Sequence, residues 1–466
     1  MNTSARIAEG ATVDGFLVGK VIHRGGMSVI REVTHPDIAE PILMKLPSVR
    51  EGDDPAAIVG FEMEQMILPR LSGPHVPRFV ALGDFSADPY IVMERVQGRW
   101  LLPMLEELPL PGDEVAAIGA RVATALHEIH RQHVVHLDVK PSNVFLRQSG
   151  EAVLIDYGLA HHDQLPDLMD EEFRVPYGTA PYMSPEQILG NRRDARSDLF
   201  SLGVLLYFFS TGVRPFGDPK GKRRLHRRLW RDPVPPRKLR ADYPPWLQEV
   251  VLRCLEVDPA RRHPTAAQLA FDLTNPDEVK RTTRSERLRQ DPWSAVLRRR
   301  FHPDADSRRR APETSVAEQT SAAPIVAVAV DLSESSEALL ITLRDTVGRM
   351  LEVVPGARFA CLNVLKYHRL ALDFTLDAEG KSKHLKRLAE LRSWARPLEM
   401  AEHRITFHVL ESPDPAAAIL DYARTNDVDH IVMGARTDSA LKKILGSVSA
   451  EVVAGAPCTV TVVRAR

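Results

Sequence analysis

Three rhythms of apolar and polar residues follow one another along this chain. Up to Val96 the apolar residues fall in short runs, "GFLVGKVI", "SVIREVT", "PILMKL" and "PYIVMERV", each predicting a strand, with "HRGGM" as the turn between the first two. One helical segment, from about Asp54 to Leu71, interrupts them. From Pro111 to about Asn275 apolar positions recur at three- and four-residue steps, as in "EVAAIGARVATALHEIHRQ", which predicts helices. Strands first and helices after argue for a small β-rich lobe on a larger α-rich lobe. From Val279 to Pro324 the periodicity stops; Arg, Ser, Thr and Pro dominate, and the stretch reads as a mobile linker with one short helix around "DPWSAVLRRRF". The third rhythm consists of near-continuous apolar runs: "PIVAVAVDLS", "ARFACLNVL", "RITFHVLE", "DHIVMGAR" and "CTVTVVR". Helical sequence separates them, so a doubly wound parallel five-stranded α/β sheet is expected. The predicted division is residues 1–275, a linker over 276–322 and a second domain over 323–466.

Charge and composition narrow the function classes. A formal net charge of -1 gives no global attraction to nucleic acid or to an anionic membrane, so neither is expected as a partner. The N-terminus lacks the apolar core of a signal peptide. The longest apolar stretch, Leu199–Val213, is too short for a membrane span and reads as a buried core helix; a cytoplasmic protein is expected. Three scattered cysteines without a CxxC pair suggest neither a disulfide framework nor a zinc site.

Candidate chemistry lies in the first region. Phosphoryl transfer from ATP needs a cover for the phosphates, a cation on them, metal ligands and a residue to orient the attacking hydroxyl. "HRGGMS" (His23–Ser28) can serve as the cover, although alone it is an ordinary hairpin turn. Lys45 ends the third strand, and Glu64 on the following helix is placed to hold it. Asp138 in "HLDVKPSN" is the candidate base or orienter, with Asn143 and Asp156 as metal ligands.

These motifs, with "GTAPYMSPEQ", "SDLFSLGVLL" and "DPARRHPTA", stand in the order and spacing of bacterial eukaryotic-like Ser/Thr protein kinases, which residues from about 14 to 275 resemble. The resemblance implies an α+β bilobal kinase fold, ATP with Mg2+ or Mn2+ as cofactors, and protein substrates. It places His23, Gly25 and Gly26 over the phosphates and Ile30 and Leu43 over the adenine. Met93 becomes the gatekeeper, and Glu94 and Val96 offer hinge backbone groups. Lys140 would steady the γ-phosphate and marks Ser/Thr specificity, as does Thr179 in the substrate loop. Asp198 would brace the catalytic loop and Glu186 pair with Arg262.

Departures from the family pattern sharpen the reading. His23 stands where the first glycine of the loop is usual, which predicts weaker ATP binding. Leu137 replaces the arginine that receives an activation-loop phosphate in many relatives. From Asp156 to Gly178 there is no Ser or Thr. Receiver and phosphate are missing together, so an active kinase not switched by activation-loop phosphorylation is expected; the alternative is a nucleotide-binding pseudokinase scaffold. "DLMDEEF" (Asp167–Phe173) is either a solvated acidic loop or a docking patch for basic substrates. The basic run Lys220–Arg231 is a solvated face or a site for acidic partners. Thr282, Thr283 and Ser285, tethered beside the kinase, are candidate autophosphorylation sites.

Residues from about 322 resemble a universal stress protein domain, through "IVAVAVDLSESS" and "DHIVMGARTDSALKKILGSVSAEVVAGAPCTVTVVR". The ATP-binding form of that family has Gly-x-x-Gly, nine residues, then Gly-Ser/Thr. Here Gly434 is followed by Thr437 in place of the second glycine, and eight residues precede Gly446-Ser447. A second nucleotide on Asp331, Gly434, Gly446 and Ser447 is one implication; a dimerising or sensory domain with an altered pocket is the other. "CTVTVVR" is a candidate edge for a homodimer.

Overall fold

The computed structural model describes residues 7–25, 28–47, 56–83, 89–173, 176–301, 314–333, 336–354, 356–366, 383–401, 404–435 and 447–465. They form two compact units, Met1–Leu269 with Arg281–Glu318, and Ala270–Lys280 with Gln319–Arg466.

The first unit opens on a six-stranded antiparallel sheet in the order Thr12–Val13, Phe16–Arg24, Ser28–His35, Ile38–Pro47, Ile91–Glu94, Phe79–Leu82. Alternation divides its residues between two faces. Phe16, Val18, Val33, Ile42, Met44 and Val92 are buried together on one face. On the other, Ile30 lies opposite Lys45 and Leu43 opposite Met93, so these four share a surface. Phe79–Leu82 was not anticipated: "FVAL" has no alternation, and it becomes a strand by pairing with Ile91–Glu94. The helix Ala56–Ile67 follows the strand that carries Lys45.

Helices build the rest of this unit, chiefly Gly112–Arg131, Arg196–Thr211 and Pro245–Cys254. Arg196–Thr211 is buried almost all round, as an apolar core helix should be. Gly212 ends it in the left-handed conformation at φ +72°.

The expectation of a mobile linker from 276 onward is corrected over 281–301. Glu249, on the helix Pro245–Cys254 and nearly inaccessible, collects hydrogen bonds from the Thr282 amide and hydroxyl (both 2.9 Å), the Ser285 amide (3.1 Å) and Arg284 (3.0 Å). Gln248 donates to the carbonyls of Arg284, Ser285 and Arg287. A buried carboxylate is costly unless such donors converge on it, and this stretch supplies them. The expected short helix is Trp293–Arg300.

The second unit holds a five-stranded all-parallel sheet in the order Ile405–Ser412, Arg358–Lys366, Ile325–Ala329, His430–Gly434, Thr459–Val463. The first strand in sequence is central, and strands are added on either side of it, the doubly wound arrangement predicted. Within this unit Arg358 is buried against the Asp272 carboxylate at 2.6 Å and lies 4.1 Å over the Phe271 ring. Among the described residues no helix is long and apolar enough to cross a membrane.

Candidate active site

Two clusters of charge assemble from elements far apart in sequence. In the first, the Lys45 ammonium contacts Glu64 and lies 2.9 Å from Asp156. Burial alone would lower the Lys45 pKa; the Asp156 and Glu64 carboxylates more than offset it and hold the amine above the usual lysine range. In return Lys45 holds the Asp156 carboxyl at about 2. Asp156 itself sits at φ +69°. The helix carrying Glu64 reaches this position through a backbone contact absent from the sequence reading. A methyl group at Gly60 would lie 3.1 Å from the Gly158 carbonyl oxygen, and one at Gly158 would lie 3.0 Å from that of Gly60. No side chain separates the helix from the loop that presents Asp156.

The second cluster surrounds Asp138, only 5% exposed. Its carboxylate accepts from Lys140 at 2.6 Å, from the Thr179 hydroxyl at 2.7 Å and from the Asn143 amide at 3.0 Å. Asn143 also donates to the Asp138 carbonyl, and its own amide oxygen accepts from the neighbouring Ser142 hydroxyl at 3.3 Å. Asp198, fully buried, accepts from the amides of His136 and Leu137 (2.8 Å each) and faces His130 at 2.9 Å. The Leu137 carbonyl accepts from Gln187 at 2.7 Å, and Gln187 closes a capping box with Ser184. Glu186 and Arg262 form a buried ion pair at 2.7 Å. Tyr157, the departure in "DYG", is buried and its hydroxyl donates to the Leu154 carbonyl at 3.2 Å.

The nucleotide face is the sheet surface already described. Ile30 and Leu43 are half-buried there, and Met93 is buried within the strand Ile91–Glu94. His23 is exposed opposite Ile30, and the Gly25 amide donates to Ser28 at 2.9 Å; Gly26 lies outside the described residues. Val96 is half-buried just beyond Glu94. Sequence reasoning gave Glu94 a backbone role only. Its carboxylate is also gripped by Arg147, at 2.9 Å through one nitrogen, which holds it below the usual carboxylate range.

The residues fit a hard divalent cation. Asp156 stays ionised, one of its oxygens is free of Lys45, and the Asn143 oxygen is a neutral partner; such ions take oxygen ligands and complete their shell with phosphate and water.

Two expectations about charged stretches change. Arg228, in the basic run Lys220–Arg231, is neither solvated nor free for an acidic partner. It is buried, lowered to about 10 by burial, and donates to the carbonyls of Ala180 (2.7 Å), Pro181 (3.3 Å) and Met183. It therefore shapes the loop that begins at Thr179. In the acidic stretch, Asp167 caps the helix Leu168–Glu172 and binds His161 (2.9 Å) and Arg192 (2.8 Å), while Met169 is buried. Of the candidate autophosphorylation residues, Ser285 is buried with its hydroxyl on the Thr282 carbonyl, Thr282 is bound to Glu249, and Thr283 is exposed.

In the second unit, Asp331 accepts from the Ser333 amide and hydroxyl (3.0 and 2.6 Å). Gly434 ends a strand against Leu339, where a methyl group would lie 3.0 Å from that side chain. Ser447 begins the helix Ser447–Gly455; Gly446 and Thr437 lie outside the described residues.

Comparison with known proteins finds two family matches along the chain. The protein kinase domain family model matches residues 16–293, and the universal stress protein family model matches 324–464. The chain belongs to the protein kinase domain family. It is 31% identical to the serine/threonine-protein kinase PknB of Mycolicibacterium smegmatis, over 59% of this chain and 46% of that protein. A probable serine/threonine-protein kinase of Corynebacterium efficiens is 33% identical, over 56% of this chain and 41% of its own length. The chain thus spans less than half of these relatives. Among solved structures, the kinase domain of Mycobacterium tuberculosis PknI matches at 26% identity and a TM-score of 0.44, over 58% of this chain and 98% of that domain.

Proposed function

We propose that this chain is a cytoplasmic Ser/Thr protein kinase that transfers the γ-phosphoryl group of Mg-ATP to a protein hydroxyl, with an activation segment held in place without phosphorylation. The observation that carries the reading is the pair of clusters: Lys45 fixed between Glu64 and Asp156, and Asp138 accepting from Lys140, Asn143 and a threonine hydroxyl. A substrate hydroxyl presented to Asp138 would donate to it as Thr179 does, and so be oriented for attack. Lys140, in contact with the same carboxylate, is placed to neutralise charge on the transferred group. Asn143 and Asp156 would hold the divalent cation, which supplies charge neutralisation on the phosphates.

Support for independence from phosphorylation comes from the segment's own partners. Asp167 bound to Arg192 and His161 does for this stretch what a phosphate would do elsewhere. Autophosphorylation is proposed at Thr283, which is exposed; Thr282 is exposed as well, but its hydroxyl is bound to Glu249, and Ser285 is buried. For the second unit the reading is a dimerising module that pairs through Thr459–Val463, which is hydrogen-bonded on one side only among the described residues. A nucleotide on Asp331 and Ser447 would instead give a second ATP per chain that survives Asp156→Ala.

The test is incorporation of labelled γ-phosphate into the purified protein and a basic peptide. Wild type should label both, and Asp138→Asn should lose the signal by about 10²–10⁴-fold while still binding ATP. No label from wild type with ATP bound would favour the scaffold alternative. An essential phosphate mapped between 157 and 178 would overturn the independence.

A further inference from the structure

Leu137 is the residue that most needs a partner. It sits at φ +62°, a conformation unfavourable for a leucine, yet its amide and carbonyl are committed to Asp198 and Gln187. Its side chain lies in a small apolar pocket made with Val135 and Ala195. The fourth member of that pocket is Val316, completely buried, nearly 180 residues further along the chain.

More than a methyl contact holds Val316 there. Its backbone N–H donates to the Asp163 carboxylate, which belongs to the activation segment and also faces His133 and His161 at 3.5 and 3.6 Å. The approach is shaped by a reciprocal cap: the Ser315 amide donates to Glu318 at 2.8 Å, and the Glu318 amide to the Ser315 hydroxyl at 3.2 Å. One residue therefore touches the catalytic loop with its side chain and the activation segment with its backbone. It does so at Leu137, the position where related kinases carry the phosphate-receiving arginine.

We propose that the pocket of Val135, Leu137 and Ala195 is a docking site for the chain's own segment Thr314–Glu318, and that seating of Val316 in it, in place of a phosphate, holds the catalytic loop and activation segment ready for transfer. The inference rests on the kinase reading for its effect on rate, but the docking itself does not. Leucine at 137 becomes a matched choice: an arginine there would put an unpaired cation against Val316, and a leucine without Val316 would be left facing water.

The test uses the full chain, with two readouts: phosphoryl transfer to a basic peptide, and amide hydrogen exchange across 134–139 and 161–167. Val316→Asp places a carboxylate in the pocket beside Asp163. It should lower kcat about tenfold, leave the KM for ATP within about twofold, and speed exchange in both stretches but not in 199–211. Leu137→Arg alone should do the same. The double variant should return to within about threefold of wild type, because the introduced guanidinium facing the introduced carboxylate would restore a charge pair between catalytic loop and docked segment. Val316→Ala, which keeps the backbone donor, should give a loss of about threefold and decides the matter if either charged variant fails to fold. Wild-type rates and exchange in Val316→Ala and Val316→Asp, or losses that simply multiply in the double variant, would overturn the proposal. Absence of transfer in the wild type would count against the kinase reading, and the exchange data would still decide the docking.

Discussion

The catalytic centre and the activation segment are both organised by charge, but the charges have different tasks. Lys45, Asp138, Asn143 and Asp156 are the groups we assign to the transfer itself, paired as Lys45 with Asp156 and Asn143 with Asp138. His161, Asp163, Asp167 and Arg192 touch none of them; their task is to fix the path of the chain. In the first set Lys45 is held above the usual lysine range and Asp156 down at about 2, so both stay ionised across the neutral range. The second includes a histidine, so its hold depends on pH. A segment steadied by a phosphate is switched by an enzyme, whereas one steadied by built-in ion pairs is present from the moment of folding.

The sharpest break of the comparison lies on the catalytic side. Lys45→Met removes the cation between two carboxylates and leaves Glu64 buried without a counter-charge. Breaking such a buried pair costs about 3–5 kcal/mol of stability, and transfer should fall to a background level. Thermal unfolding beside a labelled-phosphate assay measures both. A variant as stable as wild type would show that Glu64 is protonated or solvated and that the pair does not organise the helix.

Arg228→Met is the next largest. It strips the donor from the Ala180, Pro181 and Met183 carbonyls, and each buried group left unpaired costs about 1–3 kcal/mol. The loop after Thr179 should loosen, so the KM for a peptide substrate rises more than the KM for ATP. Equal changes in both constants would mean that Arg228 supports the whole lobe.

Gly60→Ala separates stability from activity. Alanine is favoured over glycine within a helix by about 1 kcal/mol, so the helix Ala56–Ile67 gains. The added methyl group meets the Gly158 carbonyl at 3.1 Å, and the helix must move off the loop that carries Asp156. Transfer should fall about tenfold while the melting temperature holds or rises. Falling stability with unchanged activity would show that the close approach is incidental.

The same glycine illustrates what could be read from the chain alone. Lys45, Glu64, Asp138, Asn143 and Asp156 were legible because phosphoryl transfer demands those residue types in that order, and the lobes followed from the change of apolar rhythm. Gly60 was not, because a backbone-to-backbone contact between residues 60 and 158 leaves no local trace. Arg228 was hidden by composition, although Leu225, Leu229 and Trp230 interleaved with the arginines were a signal that this run has a buried side. The engagement of Thr282 and the burial of Ser285 left no local trace, because their partner, Glu249, lies more than thirty residues earlier in the chain. Val316 lay in sequence without periodicity, and only the surface at Leu137 gives it a place.

The smallest effect expected tests the pH dependence that divides the two regions. Burial of His161 opposes its protonation, but Asp163 and Asp167 more than offset this and raise its pKa above the ordinary histidine value. A raised folded-state value means that the contribution is complete below about pH 6.5 and is lost as pH climbs through the raised value. The groups facing the ring point the same way, since Arg192 opposes the charge and is outweighed by the two carboxylates. Protection of residues 161–173 against hydrogen exchange, taken as a ratio to His161→Gln so that the intrinsic pH dependence of exchange cancels, should therefore shrink from about pH 6 to about pH 8.5. Transfer should decline a few-fold over the same interval, beyond any decline in the variant. A ratio that stays flat would mean that His161 is neutral throughout and that Arg192 alone holds Asp167. The activation segment would then be as indifferent to pH as the catalytic centre, and the contrast between the two regions would reduce to their distance from the nucleotide.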